Sequence, residues 1–539
     1  MADRPLRLVF LPSGATAEGI PGERIDDLAL RAGVPLGHSC GGVGVCGKCR
    51  IRPKEGGAFL SPLSPTEERT LSPADRASGV RLACCATLRG SGAVLVLDTT
   101  EGTNEKILEN LAPHTTLPWD DPRPGLGVSV DLGTTTVACC LLDLQGRKPL
   151  GLHSFLNPQI VFGDDVISRI SASTAHPQGL EGLQGAIVRG LDDALREMAA
   201  QSGVPPREIR EIVVAGNTVM EHLLLGVSPE SIGKSPYAPA FLAHEPVRSA
   251  SLGLRAPHPE APVRLIPNVA GYVGGDIVAG TTAMEMDGEL PLRLLVDIGT
   301  NNEIVLGNRE ALHCCATAAG PALEGARIRW GMRAQQGAVE GVRLAPEGLC
   351  LDVIGGGRPQ GLCGSGLVDA LALLLREGIV ERSGRFVPPE RCTHPQLRER
   401  LARDERGMTI FLLGDHREGV ALTQKDVREV QLALGAIHTG VEVLLAERGV
   451  TREEVDEVLL AGAFGNNLHV PSAIAVGLVP DVPPEKVRSV QNTSGLGACR
   501  ALASRSFYER TTRTAQRMRY IELSRLPDFQ ERFVRAMTF

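Results

Sequence analysis

The stretch Gly127-Val128-Ser129-Val130-Asp131-Leu132-Gly133-Thr134-Thr135-Thr136-Val137-Ala138 is an apolar run, a tight polar turn and the start of a second apolar run. It returns farther along as Leu294-Leu295-Val296-Asp297-Ile298-Gly299-Thr300-Asn301-Asn302-Glu303-Ile304-Val305. Both read strand, Asp-x-Gly-Thr, strand, and such an internal repeat points to two similar halves. Glycine lets the turn approach an anion closely, Thr and Asn groups donate hydrogen bonds to phosphate oxygens, and Asp can hold Mg2+ through water. Two facing hairpins can clamp a polyphosphate. A plain Gly-Thr turn explains either copy alone; the duplication favours the clamp.

Each half continues in parallel. The first predicts strands over 137–143 and 150–155, a helix over 183–200, and a strand from Ile209 that ends at Gly216-Asn217-Thr218. The second predicts a helix over 427–448 and a strand from Val455 that ends at Ala461-Gly462-Ala463-Phe464-Gly465. Small residues after a buried strand let a nucleotide lie against backbone; a helix cap at Gly462 or Gly465 is the plain alternative. Thr423 and Asp426 have capping-box spacing, so Asp426 reads as structural. The turns Ala319-Gly320-Pro321 and Cys363-Gly364-Ser365-Gly366 read as glycine loops open to a ligand or partner.

Ahead of the repeat, Cys40, Cys46 and Cys49 form C-x5-C-x2-C, and Arg81-Leu82-Ala83-Cys84-Cys85 follows. Plant-type ferredoxins use C-x4-C-x2-C with a distant fourth Cys. The loop holds Gly41, Gly42, Gly44 and Gly47, which let backbone N–H groups wrap a negatively charged cluster. A zinc site more often shows paired C-x2-C knuckles, and only one is present. Gly42-x-Gly44-x-x-Gly47 matches the dinucleotide fingerprint but lacks its strand-turn-helix setting. Strands over 6–10, 49–51 and 94–97 and a helix over 25–32 fit a β-grasp ferredoxin with an adrenodoxin-like loop.

At 539 residues the chain exceeds a single core. With 43% apolar and 22% charged residues it is an ordinary globular sequence rather than a disordered one. A formal charge of -7, no basic run and only 3% aromatic residues argue against nucleic acid as a ligand. The start lacks signal-peptide character and no stretch approaches a spanning helix, so a cytoplasmic protein without a membrane partner is expected. Thirteen cysteines, an odd count, suit metal ligation and buried thiols better than disulfides. Between Asp98 and Gly125 the sequence turns polar and proline-rich, a tether with a short helix over 105–111. Gly226 stands too far before Gly233-Lys234-Ser235 for the usual phosphate loop, and no metalloprotease or serine-hydrolase motif is present.

The expected organisation is a ferredoxin-type domain over 1–98, a linker over 99–125, a first lobe over 126–290 and a second lobe with a tail over 291–539. The duplicated hairpins resemble phosphate-1 and phosphate-2 of the acetate and sugar kinase, Hsp70 and actin superfamily, which implies a duplicated RNase H-like α/β ATPase within an α+β multidomain chain. The whole chain resembles the reductive activators of corrinoid-dependent methyltransferase systems. Besides the cysteines and hairpins, the segments Asn157-Pro158-Gln159, Asp165 to Arg169, Gly216 to His222, Ala319 to Gly325 and Gly364-Ser365-Gly366 carry that likeness.

The resemblance implies a 2Fe-2S cluster on Cys40, Cys46, Cys49 and Cys84, with the Arg-Leu-Ala tripeptide favouring Cys84 over Cys85. It implies ATP and Mg2+ between the lobes: Asp131 and Asp297 as metal or water-positioning groups, and Gly133, Thr134, Thr135, Gly216, Asn217, Gly299, Thr300, Asn301, Gly320, Gly462 and Gly465 around the nucleotide. Glu303 or Glu324 orients the attacking water, and Gly364 and Ser365 form a candidate partner loop. The implied activity is ATP-dependent one-electron reduction of Co(II) to Co(I) on a corrinoid protein, fed by an external low-potential donor, in a homodimer. A ferredoxin-linked oxidoreductase component without ATP coupling, and a metabolite kinase with a regulatory cluster, are the rivals. A plant-type cluster sits near about -400 mV. Every further 59 mV uphill costs a one-electron step about tenfold, so an energy source is needed.

Overall fold

A computed structural model describes residues 5–539 apart from 35, 37–43, 45, 46, 48, 55, 56, 72, 98–116, 121, 176, 177, 300, 318, 319, 326, 405, 406, 415–418 and 463–467. The expected helix over 105–111 lies outside the described residues.

The N-terminal unit contains β1 (Leu6–Leu11), β2 (Ala15–Gly19), α1 (Ile25–Arg31), β3 (Arg50–Pro53), α2 (Pro65–Thr70), α3 (Pro73–Ala77), β4 (Arg81–Leu82) and β5 (Gly92–Val96). Its sheet runs β2-β1-β5-β3-β4, with β1 and β5 parallel and the other pairs antiparallel. Alternation in β1 sends Leu8 and Phe10 into a core shared with Ile25, Leu28, Ile51, Leu82 and Val94. This is the β-grasp arrangement.

The first lobe contains β6 (Leu126–Leu132), β7 (Thr136–Asp143), β8 (Lys148–Leu156), α4 (Val166–Ala175), α5 (Gly179–Gln201), β9 (Ile209–Gly216), α6 (Thr218–Leu225), β10 (Val247–Arg248), β11 (Pro262–Leu265) and α7 (Gly275–Ala283). Its sheet order is β10-β11-β9-β6-β7-β8. The second lobe repeats the plan with β12 (Arg293–Ile298), β13 (Asn302–Gly307) and β14 (Leu312–Thr317). Then come β15 (Ala338–Ala345), β16 (Gly348–Val353), β17 (Gly361–Leu362), α8 (Gly364–Arg376), α9 (Pro395–Arg398), β18 (Leu401–Arg403), β19 (Thr409–Leu412), β20 (Ala421–Thr423), α10 (Gln424–Arg448), β21 (Glu457–Ala461), α11 (Val470–Ala475), β22 (Val487–Gln491), α12 (Thr493–Ala503), α13 (Arg505–Arg517), β23 (Met518–Tyr520) and α14 (Phe529–Ala536). The main sheet runs β22-β21-β12-β13-β14-β23, so β12-β13-β14 and β21 repeat β6-β7-β8 and β9 strand for strand. Two small sheets, β16-β15-β17 and β18-β19-β20, are insertions into this plan.

Strands buried on both faces explain the near-continuous apolar runs of β6, β9 and β12. One face of the first sheet packs on α4, α5 and α6, and one face of the second on α8 and α10. The other two faces look toward each other across α7, α12 and α13, in a core that joins Cys140, Val213 and Ala215 to Leu295, Val305, Leu459, Ile277, Ala498 and Phe507. Helix α12, which follows the last long strand of the second lobe, therefore packs on β6 and β9 of the first.

The sequence reading expected no apolar stretch of membrane-spanning length, whereas α10 is long and apolar enough by length and composition. Its charges cluster toward the ends. The middle lies in the second-lobe core, with 72% of its most apolar window buried. The capping box at its start is present: Thr423 Oγ1 accepts from Asp426 N (3.1 Å), and Thr423 N donates to Asp426 (2.9 Å).

Candidate functional site

The strands on either side of each Asp-x-Gly-Thr turn pair antiparallel as expected, β6 with β7 and β12 with β13, and both aspartates emerge on the faces that look toward each other. Asp131 ends the core run of β6. Asp297 lies directly across the ladder from Glu303. Opposed like charges weaken a strand pair, so the sheet is not served by this choice. Asp276, in the first turn of α7, joins them.

Burial raises all four carboxyls above the usual carboxylate range, and repulsion from neighbouring acids adds to it at Asp276, Asp297 and Glu303. Asp297 is pushed up to about 7 by burial and then by Asp131. Asp276 is pushed up to about 7 by burial, then Asp297 and Asp131. Glu303 is raised well above its ordinary value by burial, Asp276 and Asp297. Asp131 is raised by burial, a shift opposed by hydrogen bonds from Ser494 Oγ (2.7 Å) and Asn492 Nδ2 (2.7 Å). These acids feel one another's charge across the cleft, the mark of a functional site, yet among the described residues no three of them gather closely enough to form a metal-ligand cluster.

The helices cross over between lobes. Gly274 is the N-cap of α7, and Asp276 two residues on lies within electrostatic reach of Asp297 of the other lobe. Asn492 is the N-cap of α12, and Ser494 two residues on meets Asp131 of the other lobe. Sequence reasoning missed Asp276, Asn492 and Ser494. The sequence held no signal for them: α12 starts straight after β22, α7 only well after β11, and neither start shows which lobe it will face.

Small residues set the spacing around the cleft. At Gly462, φ is +91° and a Cβ would stand 2.3 Å from the Ile298 carbonyl oxygen and 2.9 Å from Asp297 Oδ1. At Gly274 a Cβ would stand 2.5 Å from the Asn217 Cα and 2.6 Å from the Gly216 carbonyl oxygen. Asn217 caps α6 through Met220 N (3.0 Å) and donates to Thr134 Oγ1 (3.0 Å). Glu324 approaches the second turn, its Oε1 3.8 Å from where a Gly299 Cβ would lie. Gly320 adopts a positive φ of 72° just before the short helix that carries Glu324. Thr300 and Gly465 lie outside the described residues. Gly364, Ser365 and Gly366 depart from the expected loop: they are the buried first turn of α8, where Ser365 Oγ lies 3.4 Å from Cys363 Sγ. The apolar run that follows them extends the helix back to Gly364.

In the N-terminal unit Cys49 and Cys84 are both buried, with their sulfurs 3.3 Å apart. Two thiolates on one tetrahedral metal with bonds of about 2.3 Å lie about 3.8 Å apart, so this pair fits a single metal after a small adjustment. Cys85 points aside, 3.8 Å from Cys84 Sγ and against Gly44, where a Cβ would meet its sulfur at 2.5 Å. Geometry thus favours Cys84 over its neighbour. Gly44 and Gly47 have φ of +81° and +68°, and their carbonyls are held by Thr70 Oγ1 (3.0 Å) and Arg50 Nε (2.9 Å). Cys40 and Cys46 lie outside the described residues. Within the described part, the donor set and the glycine cradle fit an iron-sulfur cluster.

The carbon behind Cys84 is anchored too. Arg81 donates to Glu67 through Nε (2.8 Å) and Nη2 (2.9 Å), and Glu67 also accepts from Leu82 N (3.0 Å) and Ser64 N (2.8 Å). Glu67 has no exposed surface. These bonds give the Arg-Leu-Ala-Cys segment a structural reason: its arginine pins the strand that presents the thiol.

A β-grasp ferredoxin unit followed by two repeated lobes with opposed acidic hairpins defines a ferredoxin-fused protein of the acetate and sugar kinase, Hsp70 and actin fold. Comparison with known proteins agrees. Residues 291–539 match the family described as the C-terminal domain of RACo, the ASKHA domain; residues 126–289 match the RACo middle region; residues 9–89 match the 2Fe-2S iron-sulfur cluster binding domain. The corrinoid activation enzyme RamQ of Eubacterium limosum is 35% identical over 425 residues, covering 77% of this chain and 71% of that protein. The [Co(II) methylated amine-specific corrinoid protein] reductase of Methanosarcina barkeri is 25% identical over 405 residues, covering 68% of each. A solved structure titled reductive activator for corrinoid, iron-sulfur protein superposes with a TM-score of 0.69 at 30% identity, covering 99% of this chain and 98% of that one. The chain belongs to the RACo family.

Proposed function

We propose that this protein reductively activates a corrinoid protein: it delivers one electron to Co(II), forming Co(I), in a reaction coupled to ATP hydrolysis. The observation that carries this reading is the union, in one chain, of a thiol pair set for a metal cluster and an interlobe knot of Asp131, Asp276, Asp297 and Glu303. A 2Fe-2S cluster on Cys40, Cys46, Cys49 and Cys84 supplies a one-electron centre. The chain takes that electron from an external low-potential donor.

Mg-ATP enters between the hairpins. Asp131 and Asp297 would hold Mg2+ through water, Thr134, Thr135, Thr300 and Asn301 would hold phosphate oxygens, and Gly133 and Gly299 permit their approach. Gly216, Asn217, Gly320, Gly462 and Gly465 line the nucleotide. Asp276, at the positive end of α7, stands with Asp131 and Asp297 among the groups that place metal and water, while Glu303 or Glu324 orients the attacking water. Because the start of α12 is hydrogen-bonded to Asp131 of the opposite lobe and Asp276 of α7 feels the charge of Asp297, nucleotide binding biases lobe closure, and closure changes affinity for the corrinoid partner or for one of its cobalt states. The organisation is a ferredoxin domain over 1–98, a tether over 99–125 and lobes over 126–290 and 291–539, in a cytoplasmic homodimer.

The test mixes reduced protein, Mg-ATP and a Co(II) corrinoid protein and follows Co(I) by absorbance. ATP-dependent Co(I) formation is expected. Equal rates without ATP would sink the coupling.

A further inference from the structure

Arg169 heads the fully buried side chains by size. Nε donates to the Gly163 carbonyl (2.9 Å), Nη1 to Gln159 Oε1 (3.3 Å) and Met220 Sδ (3.0 Å), and Nη2 to the Thr134 carbonyl (2.6 Å). None of these acceptors is a carboxylate. Asp164 and Asp165 favour its charge from farther off, and burial draws it down to about 10, so the group is cationic at neutral pH. Arg81, the other deeply buried arginine discussed above, sits instead in a two-bond clasp with Glu67. A buried cation without a clasping anion calls for one nearby.

The turn in front of Arg169 shows where that anion belongs. Asn157 Nδ2 donates to the Gly133 carbonyl (2.8 Å), Arg169 holds the Thr134 carbonyl, and Asn157 N donates to the Thr135 carbonyl (2.9 Å). In a planar trans peptide the N–H points opposite to the C=O. Tying back the carbonyls of Gly133 and Thr134 therefore turns the N–H groups of Thr134 and Thr135 away from Asn157 and Arg169. Successive amides aimed one way make an anion nest. The guanidinium also polarises the Thr134 peptide, which strengthens the donor at Thr135.

We propose that Arg169, held by Gln159 and working beside Asn157, is a positioning residue for the polyphosphate: it fixes the first hairpin's amides toward a bound phosphate and supplies, through the Thr134 peptide, the positive charge that phosphate balances. This rests on the reading that the hairpins bind ATP. Arg169 touches the turn and not the nucleotide.

The experiment measures dissociation constants of the full-length, cluster-loaded protein for Mg-ATP, Mg-ADP and adenosine, with melting temperature as a control on folding. Two variants are used. Arg169→Met removes the charge and its bonds; Gln159→Glu keeps Arg169 and places a carboxylate against it. Expected are dissociation constants at least about tenfold higher for ATP and ADP in both variants, the order of one charged hydrogen bond, with adenosine binding unchanged and the melting temperature of Gln159→Glu at or above the parent's. The inference is overturned if Gln159→Glu binds ATP like the parent, or if Arg169→Met weakens adenosine as much as ATP. Failure of the parent protein itself to bind ATP or ADP would instead overturn the nucleotide reading beneath it.

Discussion

Asn492 and Asp131 meet at 2.7 Å although 361 positions separate them, and the contact joins the start of α12 in the second lobe to the first lobe's hairpin. The amide does two jobs. Its oxygen caps α12 through Gly495 N (2.7 Å) while its nitrogen serves the carboxylate. Asn492→Ala should therefore cost about 1–2 kcal/mol of stability from the lost cap. It should also lower ATP turnover, because Asp131 loses one of the two donors that favour its ionised form. Denaturant unfolding reads the first effect and phosphate release the second; an unchanged turnover would confine Asn492 to capping.

The acid knot gives the protein a pH signature. Asp276 and Asp297 titrate near 7 in the folded chain, against 3.8 for the ordinary group. Folding thus favours their protonated forms. That contribution is complete below about 3.8, and it is lost as pH rises through about 7. The melting temperature of nucleotide-free protein should fall as pH rises from about 5 to about 7, the upper part of that window, and level off above it, and Asp276→Asn should flatten the decline. Mg-ATP should flatten it as well, since the metal offsets the ionised carboxylates. A decline of the same slope in Asp276→Asn would detach this residue from the effect.

The repeated hairpins were legible because their chemistry and their strand pattern occupy the same few residues. Asp131, Gly133, Asp297 and Glu303 could be named without coordinates. Asp276 and Ser494 could not be, since a helix start next to a strand carries no mark of which lobe it will face. Their roles arise from the crossing of α7 and α12, a tertiary event. Gly364 and Ser365 were misread for a local reason: two glycines in three residues suggest a loop, yet the apolar stripe after them buries and extends the helix to its very start. Arg169 lies in the family-like segment Asp165 to Arg169, but only its buried position shows that it faces a turn and not solvent.

Gly274 tests how α7 is seated on the first lobe's own nucleotide-facing turn. Its backbone is ordinary, with φ of -98°, so alanine strains nothing locally. The added methyl would nevertheless press on the Asn217 Cα and the Gly216 carbonyl, which are backbone atoms and cannot swing aside. Gly274→Ala should separate α7 from the Gly216-Asn217 loop, weaken nucleotide binding at least about tenfold and destabilise the fold by about 1–3 kcal/mol. Nucleotide titration and thermal melting of the same preparation check both. Unaltered binding would show that the loop tolerates displacement.

The Arg81–Glu67 clasp should matter to the cluster without touching it. Breaking one side of a buried ion pair strands the other charge and costs about 3–5 kcal/mol. Arg81→Gln should therefore lower the stability of the ferredoxin unit and its iron content together, while the lobes keep their nucleotide affinity. Iron analysis, visible absorbance and ATP titration separate these outcomes, and full iron content in this variant would remove the clasp from cluster assembly.

Cys84 and Cys85 decide the fourth ligand. Cys84 faces Cys49 at 3.3 Å, whereas Cys85 rests on Gly44, which offers no metal ligand. Cys84→Ala should abolish the 2Fe-2S absorbance, because a 2Fe-2S cluster needs four protein ligands. Cys85→Ala should retain full iron and sulfide content, with at most a modest change in reduction potential from the altered surroundings of the neighbouring sulfur. If Cys84→Ala still assembles a cluster, Cys85 has replaced it, and the electron paramagnetic resonance spectrum of the reduced variant should change with the new sulfur position. A parent-like spectrum in Cys84→Ala together with cluster loss in Cys85→Ala would reverse the assignment.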